Sequence, residues 1–386
     1  MTPERWDVVV AGGGPAGAVA AAGAARSGLR TLLVERHAYP RWKVCGACLN
    51  RAALEVLDWM GLGDLPERSG SPLLQALVVK GWGRTATLGL SGSVALSRLR
   101  LDHALVEAAV KSGVTLRTAR VRDAGGLADG RRHLCLVDGD DRQDVSARVV
   151  VDATGLTGLP EGVPQGGGTG NVVSAHARIG VGAVLPAWTP GFASGWIHMV
   201  VGSGGYVGLV RQEDGSLDVA GALDREWVRS HGGPGPSVHA HLAAQGVVLA
   251  EVEPEHGWRG TPLLTRHPSS LARERLFRVG DAAGYVEPFT GEGMAWAMAG
   301  ARMLIPLLSE GLGRWRPSLA RRWDRLHGRR IRRRQRTCRT LAWVSRHPLR
   351  VRWALVAAGA VPRLAGAVAR RTGTPYATSL QKSGGS

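Results

Sequence analysis

The residues best suited to chemistry begin with three glycines and an acid near the start of the chain. Gly12-x-Gly14-x-x-Gly17 follows the apolar run Val8-Val9-Val10, and Glu35 closes a second run, Thr31-Leu32-Leu33-Val34. At this spacing Gly12 permits a tight turn, Gly14 lets the backbone approach a diphosphate, and Gly17 lets a helix lie close on the preceding strand. The helix would then aim free N–H groups and a partial positive charge at the diphosphate. A carboxylate at Glu35 can accept hydrogen bonds from ribose hydroxyls. Further along stand Arg98 in Ser97-Arg98-x-x-Leu101-Asp102, Asp152-x-x-Gly155, Gly280-Asp281, and Pro288-Phe289-Thr290-Gly291-Glu292-Gly293. Cys45-x-x-Cys48 has the spacing of a redox or zinc pair. No second pair and no matching histidines complete a zinc set, so no metal site is predicted. The pair does not open a helix in a thioredoxin-like unit either.

These residues need elements to hold them. A strand from about Asp7, a helix from Ala18 to about Ala25 ended by Ser27-Gly28, and a strand through Arg30–Val34 make a complete βαβ dinucleotide unit. A helix is expected over Arg51–Met60, two strands between Leu73 and Leu90 around Gly81-Trp82-Gly83, and a further helix beginning near Leu96 and ending at Ser112-Gly113. His133–Val137 and Asp144–Val151 read as paired strands. From 166 to 266 alternating apolar positions and glycine turns predict an antiparallel sheet with few helices. Gly166–Gly170 has no strand before it and no helix after it, and reads as a linker. A helix from Met294 to about Ile305 is expected to kink or end at Pro306. The fold class is therefore α/β: a Rossmann-like domain in three ββα layers, an antiparallel-sheet substrate domain, and a helical tail. The segments are 1–70, 96–160 and 270–312 for the first, 71–95 and 166–266 for the second, and 313–386 for the third.

Composition narrows the partners. Of 20 aromatic residues, 13 are tryptophan, which suits apolar pockets or interfaces better than a nucleic-acid stacking array. Four cysteines do not make a disulfide framework in a 386-residue chain. No signal peptide is read, since the first strand begins at about Asp7, and no run of 18 apolar residues appears. A cytoplasmic chain is expected. The net charge of +18 is concentrated in the tail: Arg314 to Arg352 holds 15 arginines against Asp324 alone. With Trp315, Trp323, Trp343 and Trp353 among the arginines, the tail suits a peripheral membrane contact, or a face that docks a substrate carrier. No nucleic-acid motif accompanies the charge, and nucleic acid is not an expected partner.

In order and spacing the four separated motifs resemble the flavoprotein monooxygenase superfamily of the p-hydroxybenzoate hydroxylase type. Pro40-Arg41-x-Lys43-x-Cys45-Gly46 and Pro288-Phe289-Thr290-Gly291-Glu292-Gly293 look most like its geranylgeranyl reductase branch and that branch's bacterial halogenase- and monooxygenase-like relatives. The resemblance covers about residues 5 to 312. It implies bound FAD, held through Gly12, Gly14, Pro15, Ala16, Gly17, Glu35, Arg36, Cys45, Gly46, Arg98, Val121, Gly155, Gly280, Asp281, Pro288, Gly291, Glu292 and Gly293. In that reading Glu35 holds the adenosine ribose, Arg98 lies near the pyrophosphate or ribityl chain, and Asp281 bonds a ribityl hydroxyl. The Gly291-Glu292-Gly293 turn lies against the isoalloxazine, with the helix from Met294 aimed at the N1–C2 edge. Cys45, Trp196 and His198 are the catalytic candidates. The branch's Tyr-x-Trp-x-Phe-Pro-like strand is represented only by Gly195-Trp196-Ile197-His198-Met199, and the halogenase Trp-x-Trp-x-Ile pattern is absent. Lys80 stands in a probable strand and reads as a solvated residue.

The function expected is an FAD-dependent oxidoreductase acting on a lipophilic isoprenoid, polyketide or similar substrate, by C=C reduction or hydroxylation. NAD(P)H would serve as transient reductant, since no second Rossmann unit appears. Trp188, Trp196, His198 and Trp258 would roof the substrate. The alternatives are a flavin-dependent halogenase-like enzyme, or an Arg-rich membrane- or nucleic-acid-binding protein with a structural flavin.

Overall fold

The computed structural model describes residues 3–160, 171–287, 289, 291–313 and 315–360. The glycine-rich stretch 166–170, together with Pro288, Thr290 and Arg314, lies outside them. Two sheets organise the chain. In the first, Leu276–Arg278, Asp141–Asp152, Glu4–Ala11, Thr31–Glu35 and Thr115–Thr118 run parallel in that order. These strands are nearly continuous apolar runs because both faces are covered. One face packs on the helices Pro15–Arg26, Arg98–Lys111 and Gly293–Leu312 through Val8, Val10, Leu33, Val149 and Val151. The other face, through Val9, Leu32, Val34 and Val150, packs on Leu134 and Leu136 of the Arg131–Asp138 strand, which folds back antiparallel on Asp141–Asp152.

Local chemistry places the helix ends. Asn50 and Ser97 accept hydrogen bonds from the backbone N–H of Ala53 and Arg100 at the starts of the helices Arg51–Met60 and Arg98–Lys111. Gly61 ends the first of these in a left-handed conformation, φ +78°. The helix beginning at Gly293 corrects an expectation. It runs through Pro306 to Leu312, because Leu304, Leu307, Leu308 and Gly311 are all buried and their packing outweighs one missing N–H and a ring clash.

The second sheet has seven strands, in the order Arg259–Leu263, Ile179–Leu185, Leu217–Leu223, Gly205–Arg211, Trp196–Gly202, Ala76–Gly81 and Arg84–Gly89. The hairpin 76–89 comes from far upstream and joins it parallel to Trp196–Gly202. Two helices missed by the strand reading of 166–266, Arg225–Ser230 and Pro234–Ala243, cover the outer face through Val228, Val238 and Leu242. Pro234 opens the second of these at a helix start, where a missing N–H costs nothing.

The tail is part of this architecture rather than an appendage. Pro317–His327 sinks Leu319 and Trp323 into the core of the first sheet's helical layer, and the Trp323 indole N–H donates to the Arg278 carbonyl at 3.1 Å. Trp315 packs on Phe277 with ring centroids 5.2 Å apart. Of the four tail tryptophans read as an interface, only Trp343 and Trp353 face outward. The last described helix, Pro348–Ala360, lies across the inner face of the second sheet, burying Val351 and Leu355 against Val79, Ala86, Met199, Tyr206 and Leu264.

Candidate active site

One cavity of about 1330 Å³ runs from the tip of the first sheet to the inner face of the second. Its polar end is made largely of backbone. Gly12 has φ +98°, and a Cβ there would collide with the Ala153 carbonyl. A Cβ on Gly17 would be driven into the Gly12 carbonyl oxygen, so only glycine lets the Pro15–Arg26 helix start where it does. Gly14 is different. A Cβ there would meet no backbone; its nearest neighbours would be Lys43 Nζ at 3.8 Å and an Arg98 guanidinium nitrogen at 3.9 Å. Two partly buried cations thus converge on a place where the backbone leaves room, at the start of a helix that no side chain caps. Burial and the neighbouring Arg98 bring Lys43 down to about 8. Sequence reasoning placed Lys43 within the Pro40-Arg41-x-Lys43-x-Cys45-Gly46 motif but gave it no role in the site; its place in that motif was the available signal.

Carboxylates hold this end in order. Glu35 is buried, accepts the Gly13 N–H at 2.8 Å, and pairs with Arg41 at 2.7 Å. Tyr39 donates its hydroxyl proton to the Gly13 carbonyl, fixing the glycine loop from the other side. Asp102 takes Arg98 in a two-pronged pair at 2.7 and 2.6 Å, which clamps the guanidinium and raises its pKa against burial. Asp152 is fully buried and accepts from the Thr154 N–H and hydroxyl and from the Leu159 N–H, so it braces the turn that carries Gly155. Asp281 sits in the short helical turn Gly280–Ala283; burial raises its pKa, while Arg98 and Lys43 oppose that rise.

Of the sequence-derived positions, Gly12, Gly14, Pro15, Ala16, Glu35, Arg36, Cys45, Gly46, Arg98, Val121, Gly155, Gly280, Asp281, Gly291 and Gly293 all line this single cavity. Gly17 lies under it. Glu292 is buried with its carboxylate 3.7 Å from Cys338 Sγ of the tail. Pro288 is outside the described residues. Cys45 lies 3.8 Å from the Met294 sulfur, and burial pushes the thiols of both Cys45 and Cys48 upward. Both cysteines are free thiols held protonated, which suits packing better than nucleophilic or dithiol redox work.

The far end of the cavity is apolar. Leu77, Val79, Ile197, Met199, Val201, Tyr206, Leu264, Tyr285 and Phe289 line it, closed by Val351 and Leu355 of the tail. Side chains alternate across a strand, and in Trp196–Gly202 the cavity receives Ile197, Met199 and Val201. Trp196 and His198 therefore face the other way. His198 stacks edge-on against Phe192 at 5.2 Å, and burial lowers its pKa. Trp188 is 71% exposed, and Trp258 packs among the residues of the outer face. The tryptophan roof expected from sequence is replaced by aliphatic residues, two tyrosines and Phe289. Burial raises both phenol pKa values, so Tyr206 and Tyr285 keep their protons. Lys80 points out of the cavity and donates to the Gly246 carbonyl at 2.9 Å.

A buried ionic cluster ties the three parts together. Arg178 of the second sheet donates to Asp224 at 3.1 Å and to the Ser345 hydroxyl at 3.2 Å, and lies 3.6 Å from Glu287. Arg346 of the tail pairs with Glu287 at 3.4 Å and with Asp224 at 3.6 Å. Glu287 directly precedes the loop of Gly291 and Gly293, so the tail is anchored beside that loop.

A glycine cradle, a ribose-height carboxylate and converging cations at a helix start define a dinucleotide-binding flavoprotein fold, and the residues present fit the group that fold implies. The FAD binding domain family model matches residues 5–170. Over those residues the chain carries an FAD binding domain, and it is an FAD-dependent enzyme. Among similar proteins, conditioned medium factor receptor 1 of Dictyostelium discoideum is 24% identical over 77% of this chain, which spans only 62% of that protein's length. Menaquinone reductase of Mycolicibacterium smegmatis is 26% identical over 80% of this chain and 77% of its own. Among solved structures, that of a flavin-dependent brominase superposes with a TM-score of 0.78 at 16% identity, covering 96% of this chain and 93% of the other, a likeness of fold.

Proposed function

We propose that the chain is an FAD-dependent reductase of a lipophilic, isoprenoid-type substrate, acting on a conjugated C=C bond with NAD(P)H as transient reductant. The observation that carries this reading is the continuous cavity, polar and cationic at one end and aliphatic at the other. A small polar aromatic substrate would leave most of the apolar end unfilled. The menaquinone reductase that spans four-fifths of the chain supports the same choice.

In this reading Arg98 and Lys43 hold the pyrophosphate with the N–H groups at the start of the Pro15–Arg26 helix, Glu35 and Arg36 the adenosine ribose, and Asp281 the ribityl chain. Val121, which lines the cavity, would lie beside the adenine. Cys45, Gly46, Gly291 and Gly293 form the walls of the flavin ring site. Bound FAD would supply a two-electron carrier that the chain itself lacks. The chain's own part is to orient the substrate against that site, to keep water out with aliphatic walls, and to present the Tyr206 and Tyr285 hydroxyls as protonated hydrogen-bond donors to a polar head group.

The test is anaerobic. Chemically reduced holoenzyme is mixed with an isoprenoid quinone or a polyprenyl enone, and the flavin spectrum is followed. Reoxidation without oxygen or halide, with one reduced product per flavin, is expected. Reoxidation that requires oxygen and yields a hydroxylated product would replace reduction by hydroxylation. A halide requirement would move the assignment to the halogenase-like alternative.

A further inference from the structure

Among the described residues, the Pro348–Ala360 helix is apolar on two sides but covered on only one. Val351 and Leu355 point into the cavity. Leu349, Trp353 and Val356, spaced so that they share the opposite face, are 64%, 71% and 42% exposed. Trp343, from the preceding helix, is 55% exposed and carries the Arg350 guanidinium 3.5 Å above its ring. A helix that is apolar all round is normally buried all round, and an exposed apolar patch of this kind marks an interaction surface. Ala354 and Ala357 are exposed and also line the cavity, so the apolar chamber reaches the surface along this helix.

We propose that the outer face of the Pro348–Ala360 helix, with Trp343, docks on an anionic lipid bilayer and opens the apolar chamber directly to it. This rests on the lipophilic-substrate reading given above, and adds where the substrate comes from. Charge selects the occupant. After Asp324 the sequence contains no aspartate or glutamate, while Arg350 and Arg352 flank the apolar stripe. A second copy of this chain would set Arg350 and Arg352 of one stripe against Arg350 and Arg352 of the other. An acidic carrier protein would answer the arginines, but it gives no reason for an apolar stripe beside the chamber opening. Tryptophan and leucine sinking into the head-group region, with arginines at lipid phosphates, use both features. Among the described residues no helix is long and apolar enough to cross a membrane, so the contact lies in the interface plane.

The experiment is co-sedimentation of the FAD-loaded full chain with vesicles of phosphatidylglycerol and phosphatidylcholine, and with phosphatidylcholine alone. Binding to the anionic vesicles that weakens with added salt is expected, with Trp353→Glu about tenfold weaker at unchanged FAD content. Should Trp353→Glu lose FAD or fail to fold, Leu349→Gln makes the same test with a smaller change. Absent binding, binding equal on neutral vesicles, or equal binding by wild type and a folded variant would overturn the proposal. So would capture of an acidic carrier protein, or of a second copy, that is lost in the variant while vesicles are ignored. Turnover of a short, water-soluble substrate analogue reads the site itself, so wild-type enzyme that turns it over but does not dock on anionic vesicles rejects this surface and leaves the reductase reading intact.

Discussion

The two ends of the cavity are built by different means. The cofactor end is a product of backbone: a positive-φ glycine, a glycine under a carbonyl, a helix start and three buried acids that hold loops and cations still. The substrate end is a product of packing. It uses one parity of the second sheet, closed by the Pro348–Ala360 helix, which packs on residues as distant in sequence as Val79 and Ala86. Backbone devices tolerate almost no substitution, whereas an apolar wall tolerates any residue of about the right volume. The two halves should therefore fail differently.

The largest effects belong to the glycines, and they separate within the motif. Gly17→Val should prevent folding, because the new side chain meets the Gly12 carbonyl. Gly14→Val should leave the melting temperature of the cofactor-free protein unchanged and abolish FAD binding, since only cations and the space between them adjoin it. Thermal melts and flavin content decide this; equal damage from both variants would contradict the division of roles.

Next comes the tail. Trp323→Ala should cost about 3–5 kcal/mol, the range for truncating a fully buried aromatic, together with the bond to Arg278. Truncation after Leu312 should give insoluble or unfolded protein rather than a soluble flavoprotein. A yellow, monodisperse truncation would show that the tail is dispensable to the fold.

A smaller effect tests the cations. Lys43 titrates at about 8 in the cofactor-free protein. A bound diphosphate favours the charged form and raises that value. FAD affinity should thus be full below pH 8 and weaken as pH rises above it, because the neutral amine must first take up a proton. Lys43→Met should weaken binding by about 1.5–3 kcal/mol and flatten the pH profile. Titration calorimetry across this range measures both. The smallest effect is expected at His198→Ala, which should alter turnover less than about twofold because the ring faces away from the cavity.

This contrast also explains what could be read from the sequence. The glycine spacing, Glu35, Arg98 and Asp281 are local signals with strict spacing, and the structure gathers their residues around one cavity. The antiparallel pairing expected over 166–266 was legible too, and Gly205–Arg211 and Leu217–Leu223 are neighbouring antiparallel strands. The parity of Trp196–Gly202 was not legible, because Trp196, Ile197, Met199, Val200 and Val201 are apolar on both faces and both faces are covered. The tail misled through composition. Its arginines pointed to a membrane or carrier contact and drew attention away from the core, yet Leu319, Trp323, His327 and Ile331 recur every four residues, a stripe that is buried along its length. The helix at Pro234–Ala243 was hidden by glycine and proline neighbours that read as turns.

The central claim is that the aliphatic end of the cavity binds the substrate chain. The direct measurement is kcat/KM for a homologous series of substrates with one reacting head group and a growing prenyl tail. The gain should approach about 0.8 kcal/mol per buried methylene until the chamber is full, and Leu355→Trp, which fills it, should end that gain early while FAD content stays at wild-type level. A flat series, or one that Leu355→Trp leaves unchanged, would contradict the account.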